Sequence, residues 1–125
     1  MRDFRTDLIH HTGYLLAYEV NLEELEEDIT ALFQLKAGYE IIDVSIEVVK
    51  EGTGTVDLGL DMKLETGDLA SDFFLNDIDL AAKESFKSKI VTTIKENANL
   101  ILDTTSREGI IKVRVHYFTE SKMIK

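Results

Sequence analysis

The stretch YEIIDVSIEVVKEGTGTVDLGLDMKL, residues 39–64, decides the fold of this chain. The apolar positions of its first half recur at every second residue and are Ile42, Val44, Ile46 and Val48. The second half repeats the pattern with Val56, Leu58, Leu60, Met62 and Leu64. Such alternation predicts two strands that are each buried on one face. Because the link Glu51–Gly54 holds two glycines, we predict that the two strands pair as a β-hairpin.

Three further segments have the alternation or composition of strands. In residues 109–118 Ile111, Val113, Val115 and Tyr117 alternate with Lys112, Arg114 and His116. In residues 14–20 Tyr14, Leu16, Tyr18 and Val20 alternate with Leu15, Ala17 and Glu19. A shorter strand is predicted at Leu100–Asp103, after the turn Asn97–Asn99. Together these segments predict about six to eight short strands. We therefore expect a mainly β fold, an antiparallel β-sandwich or jelly-roll-like domain with at most one or two short helices.

The segment Asn21–Gly38 fits either a helix or a strand. Its apolar residues have helical spacing, with Asn21 at the N-cap position and Gly38 at the C-cap position, and local sequence slightly favours the helix. The alternative is a turn over Asn21–Glu27 and a strand over Asp28–Leu35, whose inward residues are then Ile29, Ala31, Phe33 and Leu35.

The segment Asp79–Glu96 is ambiguous for a different reason. Its apolar residues recur every four positions, but Ile90–Ile94 are consecutive β-branched residues, which are poor helix formers. We predict a helical turn near Leu80–Glu84 and then a strand over about Phe86–Lys95.

Composition and charge exclude several classes of function. With 125 residues the chain forms one domain, and because it has no cysteine, disulfides and thiol catalysis are excluded. No apolar run approaches the ~20 residues of a membrane helix, and we expect neither a membrane span nor a secretory signal. The net charge is −10, and 20 of the 24 acidic residues lie in residues 1–85. Because Lys and Arg form no cluster, we expect no nucleic-acid partner.

The acidic stretch 52–82 raises the question of a calcium loop. Counted from Asp57, the third, sixth and twelfth positions are Gly59, Met62 and Asp68, which do not match an EF-hand loop. On one strand, Asp57 and Asp61 are ~13 Å apart, too far to share an ion. We expect the later acids to shape turns in a loop over 65–79, with a calcium ion held between them as the alternative. These acids are Asp68, Asp72, Asp77 and Asp79.

The remaining candidates for chemistry are weak. His10 and His11 are adjacent and point to opposite sides of an extended chain, and His116 lies on the polar face of its strand. No Gly-x-Ser-x-Gly elbow occurs. We therefore expect no catalytic residue, no metal ligand and no cofactor, and we interpret the chain as a non-enzyme.

The N-terminal segment has a composition of its own. Arg2 and Arg5 are the only Lys or Arg residues before Lys36, and Phe4 lies between them. The segment fits either a frayed terminus or an arm that binds a neighbouring subunit or a partner. In the second case Arg2, Phe4 and Arg5 are the candidate binding residues. We divide the chain into an arm (1–12), a β-sandwich domain (13–119) and a C-terminal tail (120–125).

Four short sequence motifs of this chain resemble those of a group of small β-sandwich structural proteins of tailed bacteriophages. They are AGYEIIDV (37–44), where a glycine opens a strand, then TVDLG (55–59), FLNDIDL (74–80) and GIIKVRVHY (109–117). The likeness spans residues 13–118 and favours the strand over the helix at Asp28–Leu35. The acidic insertion Glu23–Asp28 departs from the pattern.

The resemblance implies a function. Such proteins are virion components, often capsid decoration or cement proteins that oligomerise on the head. We therefore expect a non-enzymatic protein of the capsid surface that binds the major capsid protein as a trimer or dimer, after synthesis in the host cytoplasm. The alternative is a β-sandwich binding module of a phage tail or fibre that recognises carbohydrate, assisted by calcium.

Overall fold

Two antiparallel sheets pack face to face in the computed structural model, which describes residues 11–63 and 69–120. Within these ranges there are nine strands: β1 (His11–Asn21), β2 (Ile29–Leu35), β3 (Glu40–Lys50), β4 (Thr55–Lys63), β5 (Leu69–Asp79), β6 (Ser85–Lys87), β7 (Thr92–Thr93), β8 (Ala98–Asp103) and β9 (Ile110–Glu120). A 3-10 turn, Leu22–Glu24, joins β1 to β2. The predicted antiparallel β-sandwich is confirmed.

The first sheet has the order β1-β9-β3-β6, with β7 also paired to β3, and the second has the order β2-β8-β4-β5. Edge strands β1 and β2 lie on the same side of the sandwich, because the rings of Tyr18 on β1 and Phe33 on β2 meet edge to face at 6.0 Å. The core between the sheets contains the inward residues of the central strands, and the largest fully buried side chains include Ile41, Ile46, Leu58, Leu100, Leu102 and Ile111.

The predicted hairpin is wrong, because β3 and β4 belong to different sheets. The link between them carries the chain from one sheet to the other. Gly52 donates its N–H to Leu80 O, and a Cβ at Gly52 would lie 1.8 Å from Glu108 O. Two strands that face each other across a core need the same alternation as two strands of a hairpin. The pattern of residues 39–64 therefore does not distinguish the two arrangements.

Bulges shift three of the predicted inward positions. The register of β3 against β9 changes between Ile41 and Asp43, so Ile41 is fully buried and the predicted Ile42 is not. The register of β2 changes between Ala31 and Phe33, and both Ile29 and Ala31 are exposed. A bulge adds one residue to one strand, and the side chains on either side of it exchange faces. Met62, near the end of β4, is also 45% exposed.

The ambiguous segments are extended rather than helical. Asn21 does cap a 3-10 turn, since its Oδ1 accepts a hydrogen bond from Glu23 N, but β2 follows and the longer helix is wrong. The expected loop over 65–79 is wrong from Leu69 onward, where β5 begins. There is no helical turn at Leu80–Glu84. The strand predicted over 86–95 is interrupted after β6, where Ser88 Oγ accepts from Ile90 N in a local turn.

Candidate interaction surfaces

The acid Asp57 binds a bulged backbone. Two residues of β4, Val56 and Leu58, pair with Ile78 and Leu75 of β5, so the β5 chain bulges at Asp77, which has φ 52°. The bulge removes the N–H of Asp77 from the ladder, and Asp57 Oδ1 accepts it at 2.7 Å. Asp57 therefore stabilises the β4–β5 pair.

The surroundings of Asp57 are electrostatically unfavourable. Burial raises the pKa of Asp57, the hydrogen bond from Asp77 N–H lowers it in part, and the nearby carboxylates of Asp77, Asp103 and Asp72 raise it further. Asp103 is the direct cross-strand partner of Asp57, and like charges in that position destabilise a sheet. The carboxylate charge of Asp57 therefore offsets part of the stability that its hydrogen bond with Asp77 N–H contributes.

Asp61 binds the strand on the other side of β4. Its Oδ1 accepts from Asn99 N at 2.7 Å and its Oδ2 accepts from Asn99 Nδ2 at 2.8 Å. The backbone pairing of β4 with β8 reaches Leu60 and Leu100, and this side-chain pair extends it by one step. The two acids of the Asp57-x-Gly59-x-Asp61 motif thus bind different neighbouring strands.

The other candidates for chemistry are separated in the fold. Asp79 Oδ1 accepts from Ala81 N, Asp72 is exposed on β5, and Asp68 lies outside the described residues, as does His10. His116 is exposed on β9 beside the ring of Phe118. Among residues 11–63 and 69–120, no three His, Asp or Glu side chains are placed to hold a metal ion. In the same ranges, no helix is long and apolar enough to cross a membrane.

Among the described strands, three of the four sheet edges carry features that discourage pairing with another chain. The edge formed by β6 and β7 has only three and two residues per strand. Strand β5 has repeated register shifts against β4 and outward carboxylates such as Asp72. Strand β2 has its own bulge and follows the acidic turn Glu23–Asp28. Short strands, bulges and charges are the usual means by which proteins protect sheet edges.

The fourth edge, β1, has none of these features. It is 11 residues long, pairs with β9 without a register shift, and carries one charged residue, Glu19, between Gly13 and Asn21. Its exposed large hydrophobic side chains are Leu15 at 63%, Tyr18 at 50% and Tyr14 at 46%. A long, regular, apolar edge is a template for another strand. The sequence signal for this surface was a strand of this length with a single charge.

An aromatic stack borders the edge of β1 near the start of the strand, at Tyr14. The ring of Tyr117 stacks on Tyr39 at 4.3 Å and on Tyr14 at 5.3 Å. Burial, together with a hydrogen bond involving Tyr39, raises the pKa of Tyr117 to about 12. The other end is bordered by a groove of about 350 Å³, lined by the acidic turn and by Ile29, which is 40% exposed. The predicted binding residues Arg2, Phe4 and Arg5 lie outside the described residues.

The fold is similar to that of chains in bacteriophage capsid structures. A chain of the acidic stable capsid structure of Helicobacter pylori bacteriophage KHP30 matches with a TM-score of 0.70 and 24% identity, over 90% of this chain and 92% of that one. A chain of the capsid of Ralstonia phage GP4 matches with a TM-score of 0.62 and 10% identity over 89% and 86%. A chain of the cyanophage Pam1 capsid asymmetric unit matches with a TM-score of 0.58 and 13% identity over 87% and 84%. No protein-family model and no curated protein matches the sequence.

Proposed function

We propose that this chain is a non-enzymatic structural protein of a phage virion, a decoration or cement protein that binds the major capsid protein on the capsid surface. The observation that carries the proposal is the match with the KHP30 capsid chain, which extends over nine-tenths of both chains. The whole domain, rather than one motif, is thus shared with a chain of a capsid. The order of the four short sequence motifs along residues 37–117 supports the same conclusion.

The mechanism of such a protein is added contact area at the junctions between capsid subunits. A trimer or dimer that engages several subunits at once gains affinity from multivalency, because each contact after the first is intramolecular. The net charge of −10 keeps free copies soluble in the host cytoplasm before they bind. It also favours a capsid surface that is locally basic.

The direct test is saturable binding to capsids. Purified full-length chain is incubated with capsids that lack it, and bound protein is measured by co-sedimentation over a range of concentrations. We expect a plateau at a fixed ratio to the major capsid protein, and capsids that resist heat better once they are saturated. An unrelated acidic protein of similar size is the control. Binding that never saturates, or no binding at all, contradicts the proposal.

The exposed rings of Tyr14 and Tyr18 favour one second candidate, the carbohydrate-binding module of a phage tail or fibre, since sugars stack on exposed aromatic side chains. A glycan array with and without calcium separates the two functions. Specific glycan binding that is lost in Tyr18→Ala, in a protein that does not bind capsids, would favour the module.

A further inference from the structure

We propose that residues 1–10 of a second copy add an antiparallel strand to the outer edge of β1, which pairs with no described strand. The proposal deepens the homo-oligomer of the proposed function by naming the surfaces that join its copies. It starts from β1, which is the one edge among the described strands that is long, regular and almost uncharged. An added strand satisfies the outward N–H and C=O groups of such an edge.

The N-terminal segment has the length and pattern of the missing strand. Ten residues span about 33 Å when extended, close to the length of β1. Phe4 and Leu8 occupy even positions, as do the inward residues Leu16 and Val20 of β1. Residues directly opposite each other in an antiparallel pair lie on the same face of the sheet. Any register that places even-numbered residues of the arm opposite even-numbered residues of β1 therefore puts Phe4 and Leu8 on the same face as Leu16 and Val20.

Charge then selects one register. When Arg5 lies opposite Glu19, Phe4 faces Val20, Leu8 faces Leu16, and the two acids of the arm face uncharged residues. A shift of two positions one way places Asp3 opposite Glu19, and a shift the other way places Asp7 there. Both shifts oppose two carboxylates, which destabilises a strand pair. Of these three registers, only the one that pairs Arg5 with Glu19 places opposite charges at the single charged residue between Gly13 and Asn21.

This register requires two copies. If an arm paired with its own β1 in the same register, residues 11–13 would have to form the turn of the hairpin. They are instead extended strand, and Thr12 and Gly13 pair with Thr119 and Phe118 of β9. The arm must therefore come from a neighbour. In the same register Arg2 lies opposite Leu22, beside the acidic turn that lines the groove at this end of β1.

The first test is the oligomeric mass of the full chain, measured by light scattering over a range of concentrations. We expect an oligomer, and we expect a variant lacking residues 2–9 to be monomeric with an unchanged circular dichroism spectrum. A wild-type protein that is monomeric at every concentration, or a truncated protein with the wild-type mass, overturns the proposal.

The second test separates pairing between copies from pairing within one copy. Arg5→Glu and Glu19→Arg should each weaken association roughly tenfold at low salt, and the double variant should restore it. Mixing the two single variants should also restore association, because each arm then meets an edge of opposite charge on its neighbour. Lys83→Glu, an exposed charge reversal away from β1, is the control and should have no effect. Rescue in the double variant without rescue on mixing means pairing within one copy and refutes the proposal.

Capsid binding is measured separately from mass. An oligomer that depends on the arm but binds no capsid contradicts only the proposed function. A protein that binds capsids as a monomer contradicts only the arm exchange.

Discussion

The substitution Gly59→Ala tests how closely β4 and β5 approach each other. Gly59 lies between Leu58 and Leu60, whose partners on β5 are Leu75 and Ala70, so β5 bulges widely opposite this glycine. A Cβ at Gly59 would lie 2.0 Å from Ala70 O and 2.4 Å from Ser71 C. Both are backbone atoms, so no side-chain rotation relieves the overlap. We expect the β5 backbone to move away from β4.

The expected cost follows from that displacement. Because a Cβ and a carbonyl oxygen are essentially never closer than 3.0 Å, the β5 backbone must retreat by about 1 Å. Such a shift weakens the hydrogen bonds on either side of Gly59, each worth about 1 kcal/mol, and strained packing adds about 1–3 kcal/mol. Alanine recovers about 0.4–1 kcal/mol by restricting the unfolded chain. We expect a net loss of about 3 kcal/mol in the free energy of unfolding, or roughly 10 °C in Tm.

Urea denaturation followed by circular dichroism measures this loss, and Gly13→Ala is the matched control. At Gly13 the new methyl group would meet only the side-chain ring of Phe118, which can move. We expect that variant to remain within about 0.5 kcal/mol of the wild type. If Gly59→Ala is as stable as Gly13→Ala, the inferred close approach of β4 and β5 is wrong.

Three further substitutions test the polar contacts. Asp57→Asn keeps the oxygen that accepts from Asp77 N–H but removes a carboxylate whose pKa is raised in the fold. It should raise the free energy of unfolding by up to about 1 kcal/mol at pH 7, measured by urea denaturation. The gain should disappear as the pH falls through the raised pKa of Asp57, because the acid is then itself protonated. The pKa of Tyr117 is raised to about 12 from 10.0, so the stability contributed by its protonated hydroxyl is complete below pH 10 and is lost as the pH rises to 12. The variant Tyr117→Phe should lack this loss of stability in an alkaline titration. Asp61→Ala should lower the free energy of unfolding by about 1 kcal/mol, because Asn99 loses two hydrogen bonds. An equally large loss in Asp61→Asn would contradict this interpretation.

The inward faces of the central strands were predictable because alternation is a local property. Val44, Ile46 and Val48 are buried as predicted, and so are the inward residues of β9. The prediction failed where one strand carries an extra residue relative to its partner, as at Ile42 and Ala31. A bulge depends on the neighbouring backbone, which residues on the same strand do not describe.

The candidate surface was less predictable than the core. The sequence indicated that Asp57 and Asp61 lie on a wet face, but their hydrogen-bond partners are about 20 to 40 positions away along the chain and became visible only in the fold. The same holds for the outer edge of β1. Its sparse charge is visible in the sequence, whereas its exposure depends on the strand order, in which β9 is the one described strand that pairs with it.

By itself the sequence determined that this protein is a β-sandwich without cysteine chemistry, because period-two alternation and composition are set residue by residue. Only the tertiary structure decided that strands β3 and β4 lie in opposite sheets, and that β1 is the edge strand of its sheet among the described residues. The physical reason is that a strand buried on one face presents the same pattern to a neighbour in its own sheet and to a sheet packed across the core. Which strands pair depends on contacts between distant parts of the chain, such as the close approach of Gly52 to Glu108 O and the bulges that shift the strand register.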